Sequence, residues 1–86
     1  MKIWAQIHKG ERITKSYLYT VPEKFNLLHF ENYLTDICSE LDLPRPLTLK
    51  KHTRHFNNFN TTTYKPIDFV ESVDLDKFVL EAVSDD

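Results

Sequence analysis

Apolar and polar residues alternate from Lys2 to His8 and again from Glu11 to Val21. That is the period-two pattern of two half-buried strands. Gly10, the only glycine of the chain, lies between them, so the pattern predicts a β-hairpin over 2–8 and 11–21. A two-residue Gly10-Glu11 turn would pair Ile7 with Thr14 and Ala5 with Ser16. A three-residue loop around Lys9-Gly10 instead gathers Ile3, Ala5, Ile7, Ile13, Tyr17, Tyr19 and Val21 on one face. The second register gives the more uniform apolar face and is preferred, because a one-residue slip turns every side chain over. Trp4 and Leu18 then share the opposite face as candidate interface residues. The pattern favours cover by another element of the fold over an exposed patch.

From residue 27 to 42 the period changes. Leu27, Phe30, Leu34, Ile37, Cys38 and Leu41 fall within one arc of about 100° on a helical wheel. Asn26 is the expected N-cap, and Leu43-Pro44-Arg45-Pro46 ends the helix because proline disfavours helical geometry at the residue before it. Residues 49–60 predict a second, shorter helix capped by Thr48, with Leu49, His52, Thr53, Phe56 and Phe59 on its packing face. Thr61–Lys65 has the composition of a short strand, Pro66-Ile67-Asp68 that of a turn, and Asp76–Val83 alternates again as a last strand. Ser84-Asp85-Asp86 should fray. The order β-β-α-α-β-β implies a single α+β domain, with a small antiparallel sheet packed against two helices.

Composition bounds the function more than it points to one. Eighty-six residues bury only about 60–65% of the unfolded surface, and a domain of this size is stable by about 4–13 kcal/mol. Apolar residues at 41% and charged residues at 28% suit a soluble globular chain rather than a disordered one. The lone Cys38 excludes an internal disulfide and fits a reducing compartment. No apolar run reaches about 18 residues, and the opening MKIWAQIHKGERI lacks an apolar signal core, so a cytoplasmic protein without membrane contact is expected.

Charge is distributed in blocks. Residues 1–25 carry +3, residues 26–43 carry −4, residues 44–66 carry +5 without a single acid, and residues 67–86 carry −6, for a net charge of −2. Such blocks are expected to meet in the fold and partly neutralise one another. The sharper alternative leaves Lys50, Lys51, Arg54 and His55 exposed as an anion-binding helix face. Lys and Arg contact phosphates, and the nearby Asn57, Asn58, Phe59 and Tyr64 offer polar and stacking groups. The net charge argues against a dedicated nucleic-acid binder.

His52 and His55 have helical spacing, but no CxxC or H-E-x-x-H accompanies them, and a further ligand from Asp68, Glu71 or His8 could approach only by folding. His52 falls on the apolar stripe beside Phe56, which favours a structural ring. Asp68, Glu71, Asp74 and Asp76 lack the glycine and terminal glutamate of a calcium loop and read as a solvated turn. Cys38, on the apolar face, reads as a small core residue rather than a nucleophile.

From Leu49 to Asp76 the chain follows L-x-K-H-x-x-x-F-x-x-F-x-x-T-x-Y-x-P-x-D-F-V-E-x-V-D-x-D. With MKIWAQI and ICSELDLP, this resembles a set of short bacterial hypothetical proteins of unknown function. The resemblance implies a bacterial, cytoplasmic setting and carries no activity, cofactor or site residue. The leading expectation is therefore a non-enzymatic domain that binds another protein or itself, as a homodimer through the sheet edge or the Trp4 face. Its surplus aromatics, Trp4, Tyr17, Tyr19, Tyr33 and Tyr64, suit an interface. The alternative is nucleic-acid or anionic-ligand binding through residues 50–55. A metal-dependent or histidine-based enzyme at His52 and His55 ranks below both, and no cofactor is expected.

Overall fold

A computed structural model describes residues 1–84. The terminal Asp85 and Asp86, where fraying is expected, lie outside the described residues. The elements run β1 (Lys2–Lys9), β2 (Arg12–Thr20), α1 (Phe30–Leu41), α2 (Lys50–Phe59), β3 (Thr61–Tyr64) and β4 (Lys77–Val83). Short 3-10 turns at Leu27–His29 and Pro66–Asp68 precede α1 and follow β3. This is the α+β order predicted from the sequence. All strand pairs are antiparallel, in the order β2-β1-β4-β3. The last strand therefore inserts between the first and the third.

Both predicted hairpin registers are present in part. The turn is the two-residue one: Lys9 faces Arg12 and His8 faces Ile13 across Gly10-Glu11. Gly10 has φ +62°, a conformation that costs glycine little. A β-bulge then shifts the pairing, so that Ile7 faces Lys15, Ala5 faces Tyr17 and Trp4 faces Leu18. Beyond the bulge the inward face is the expected one. Before it, Ile13 falls on the opposite side and is 44% exposed, which corrects its assignment to the core.

The inward face presents Ile3, Ala5, Ile7, Tyr19, Phe78, Leu80 and Tyr64 to the helices. From α1 come Phe30, Tyr33, Leu34, Ile37, Cys38 and Leu41, and from α2 Phe56 with His52. Phe56 ties the two helices together, 5.2 Å from the Phe30 ring and 5.5 Å from Phe25. Asn26 caps as expected, its side-chain oxygen accepting the Leu28 N–H at 3.0 Å, but the first turn it caps is 3-10. At the other end Asp42 takes the left-handed conformation, φ 52°, and the Leu43 N–H closes back onto the Cys38 carbonyl at 2.9 Å. That closure is a Schellman-type stop just before Pro44.

The aromatics expected at an interface are mostly core. Tyr19, Tyr33 and Tyr64 are buried because each hydroxyl finds an internal partner. Tyr19 donates to Asp36 at 2.7 Å, Tyr33 donates to Glu23 at 3.1 Å, and Tyr64 bonds the Thr48 hydroxyl at 3.0 Å. The outer sheet face corrects a second expectation. Both helices lie on the inward side, and no described helix covers Trp4 and Leu18; Leu18 is 49% exposed and Trp4 half-buried. Among the described residues no helix is long and apolar enough to cross a membrane.

Candidate functional site

The last turn of α2 passes into β3 through one residue, Asn60, held left-handed at φ 61° with its N–H on the Phe56 carbonyl at 2.9 Å. So tight a reversal lays α2 antiparallel along the outermost strand. His52, in the first turn of α2, accordingly stacks on Tyr64 at the far end of β3, with ring centroids 4.2 Å apart. Between helix and strand runs a groove of about 430 Å³. Lys51, His55 and Phe59, at i, i+4 and i+8 on α2, form one wall, and Thr61–Thr63 with Lys65 form the other. None of its lining residues is acidic.

With Thr62, 2% exposed, His52 is the buried part of this lining, 1% exposed. Its Nδ1 accepts the Leu49 N–H at 2.9 Å, so the ring, not the predicted Thr48 hydroxyl, closes the N-terminus of α2. Thr48 is occupied by Tyr64. Because Nδ1 accepts, the proton of the neutral ring belongs on Nε2. The Asp68 carboxyl oxygen lies 3.4 Å from Nε2, beyond the 2.7–3.2 Å range of N–H···O bonds, and it already accepts the Lys65 N–H at 2.9 Å. Burial holds the imidazole below the ordinary histidine range, outweighing the opposite pull of Asp68.

Two buried side-chain polar atoms have no hydrogen-bond partner among the described residues, His52 Nε2 and Thr62 Oγ1. Both belong to residues that line this groove. Leaving such an atom unsatisfied costs roughly 1–3 kcal/mol, so two in one groove is a notable concentration.

The predicted basic face is only partly part of the groove. Lys51 and His55 line it, whereas Lys50 and Arg54 project from the neighbouring helix face and do not. Lys65 and the three threonines of β3 were not among the predicted site residues; the acid-free +5 block was the signal that contained Lys65. The expected partial neutralisation of charge blocks is met by Arg45 with Glu31 and by Lys9 with Asp74, but it does not extend to this face. Among the described residues Lys50, Lys51, Arg54 and Lys65 form no ion pair. The acids serve elsewhere: Glu31 lies 3.5 Å from Arg45, Asp74 holds Lys9, and Asp76 accepts the Gly10 N–H. Phe59 and Leu49, expected to pack, are 68% and 50% exposed, because only the middle of this ten-residue helix lies over the core.

A second cleft of about 410 Å³ lies between the β1–β2 hairpin and the end of α1. Its cations are already engaged, Lys9 by Asp74 and Lys15 by the Leu41 carbonyl at 3.5 Å. Cys38 is buried at the inner face of α1, and burial pushes its thiol up to about 12, away from nucleophilic chemistry. Among the described residues no three His, Cys, Asp or Glu side chains converge in a way that could hold a metal ion. His55 points along the helix to Phe59, with ring centroids 6.0 Å apart.

No known family model, curated protein or solved structure matches the chain.

Proposed function

We propose that this protein is a small binding domain whose α2–β3 groove takes an anionic ligand. The observation that carries the reading is a groove lined by two cations without ion-pair partners among the described residues, Lys51 and Lys65, together with His55 and three threonines and no acidic side chain. An oxyanion in the groove accepts from the lysine ammonium groups, which balance its charge.

The test is a titration with inorganic phosphate followed by amide chemical shifts. Shifts are expected to concentrate at Lys51, His55 and Thr61–Lys65. They should vanish in the Lys51→Glu/Lys65→Glu double variant and persist in Lys24→Glu, whose charge lies outside the groove. Shifts spread evenly over the surface basic residues, or unchanged in the double variant, defeat the reading.

A second reading, self-association or protein binding through the outer sheet face, is supported by the uncovered pair Trp4 and Leu18, with Ile13 and Val79 on the same side. A light-scattering mass that stays monomeric as concentration rises removes the self-association form of it. A reducing, cytoplasmic setting fits the lone Cys38.

A further inference from the structure

We infer that the natural occupant of the groove is an extended acidic segment of another protein, which joins the sheet as a fifth strand beside β3. This rests on the anion-binding reading above and narrows it to a ligand class.

Three features of β3 point to a strand rather than a compact ion. The sheet order leaves its outer side without a neighbour among the described residues. The Ala82 N–H donates to the Asn60 carbonyl at 2.7 Å, and Thr62 faces Leu80 two residues on. By alternation, the main-chain groups of Thr61 and Thr63 then point away from the sheet. Finally, the groove is lined by three consecutive residues, Thr61, Thr62 and Thr63. Successive side chains in a strand face opposite sides, so a groove that meets all three runs along the backbone edge. Main-chain pairing at such an edge, with side-chain pockets for selection, is an established mode of peptide recognition.

The two ends of the groove differ in chemistry. Because α2 and β3 run antiparallel, Lys51 and Lys65 share one end and Phe59 and Thr61 the other. The helix wall from Lys51 to Phe59 is about 12 Å long at 1.5 Å per residue. Three steps of an extended chain cover about 10 Å. The segment that fits carries a carboxylate against the lysines and an apolar side chain against Phe59. These lie two or four positions apart, the even spacing that keeps both on one side of a strand. β3 is only four residues long, so edge pairing alone is weak and the charge and the apolar contact must add to it. A nucleic acid is the less favoured polyanion, since the chain carries net −2 and the groove holds a single exposed aromatic.

The probe is an acetylated peptide, Phe-Thr-Glu-Thr-Glu-Thr, compared with the same peptide N-methylated at alternate amides, with inorganic phosphate and with oligothymidylate. N-methylation leaves charge and side chains intact; it removes the amide donors of strand pairing and places a methyl group at the paired edge. The expected result is affinity weakened roughly tenfold or more by methylation, as two lost backbone hydrogen bonds imply. Slowed hydrogen exchange at the Thr61 and Thr63 amides should accompany binding of the unmethylated peptide alone. Equal binding of both peptides, or preferential binding of oligothymidylate, overturns the strand proposal while the anion reading stands. Absence of binding by the peptide and by phosphate overturns both.

Discussion

Replacing His52 with phenylalanine separates the roles of this ring. The variant keeps a buried aromatic ring against Tyr64. It loses the Nδ1 acceptor that holds the Leu49 N–H, a capping bond worth about 1 kcal/mol. It also removes the unsatisfied Nε2 donor, whose burial costs roughly 1–3 kcal/mol. The two terms oppose each other, so stability near neutral pH should stay within roughly 1 kcal/mol of the parent. Acidification then distinguishes the two proteins. The folded-state pKa of His52 lies below its unfolded value near 6.5, so the unfolded chain takes up the proton first. The contribution of His52 to parent stability is therefore flat above about pH 6.5 and falls below it, by at most about 1.4 kcal/mol per pH unit, until the folded ring also protonates. Glu23, held below the ordinary carboxyl range chiefly by its hydrogen bond to His29, is present in both proteins and cancels. Urea unfolding followed by far-ultraviolet circular dichroism at about pH 7.5 and about pH 5.5 measures the difference. The gap should move in favour of the variant at the lower pH. A loss above roughly 3 kcal/mol at neutral pH, or parallel curves at the two pH values, refutes the picture of a neutral ring with an unsatisfied donor.

Three other outcomes follow from local geometry. Cys38, 3% exposed with its thiol pushed up to about 12, should resist a disulfide reagent in native buffer and react fully in denaturing urea; fast native labelling contradicts the packing of α1. Asp42→Gly relieves a left-handed backbone at φ 52° and should raise stability by about 0.5–1 kcal/mol, read as a rise of a few degrees in Tm. Gly10→Ala should lower stability by about 1–2 kcal/mol through backbone strain alone, because an added Cβ meets no atom within 4 Å. D-alanine at that position, introduced by chemical synthesis, should restore the parent Tm, and a failure to do so shows that the turn is not what the substitution disturbs.

Element type and order were legible in the sequence because they rest on local periodicity. Alternation marked β1, β2 and β4, the 3.6-residue stripe of Phe30, Leu34, Ile37, Cys38 and Leu41 marked α1, and Pro44 marked its end. Glycine at position 10 located the turn. Tertiary contacts decided the rest. The bulge that turns Ile13 outward depends on packing of the strands beyond it. Insertion of β4 between β1 and β3 leaves β3 at the edge, and no local pattern encodes strand order. Block charges suggested that the basic segment would find the protein's own acids. Arg45 does so with Glu31, but only the fold shows Asp74 and Asp76 committed to the hairpin, with Lys51 and Lys65 left facing a groove whose lining has no acids. Helical period placed His52 on the packing face correctly. That its ring caps α2 with one nitrogen and leaves the other without a hydrogen-bond partner depends on Leu49, Asp68 and the stacked Tyr64. Periodicity is a property of neighbours along the chain; a hydrogen-bond deficit arises only from the full three-dimensional surroundings of an atom.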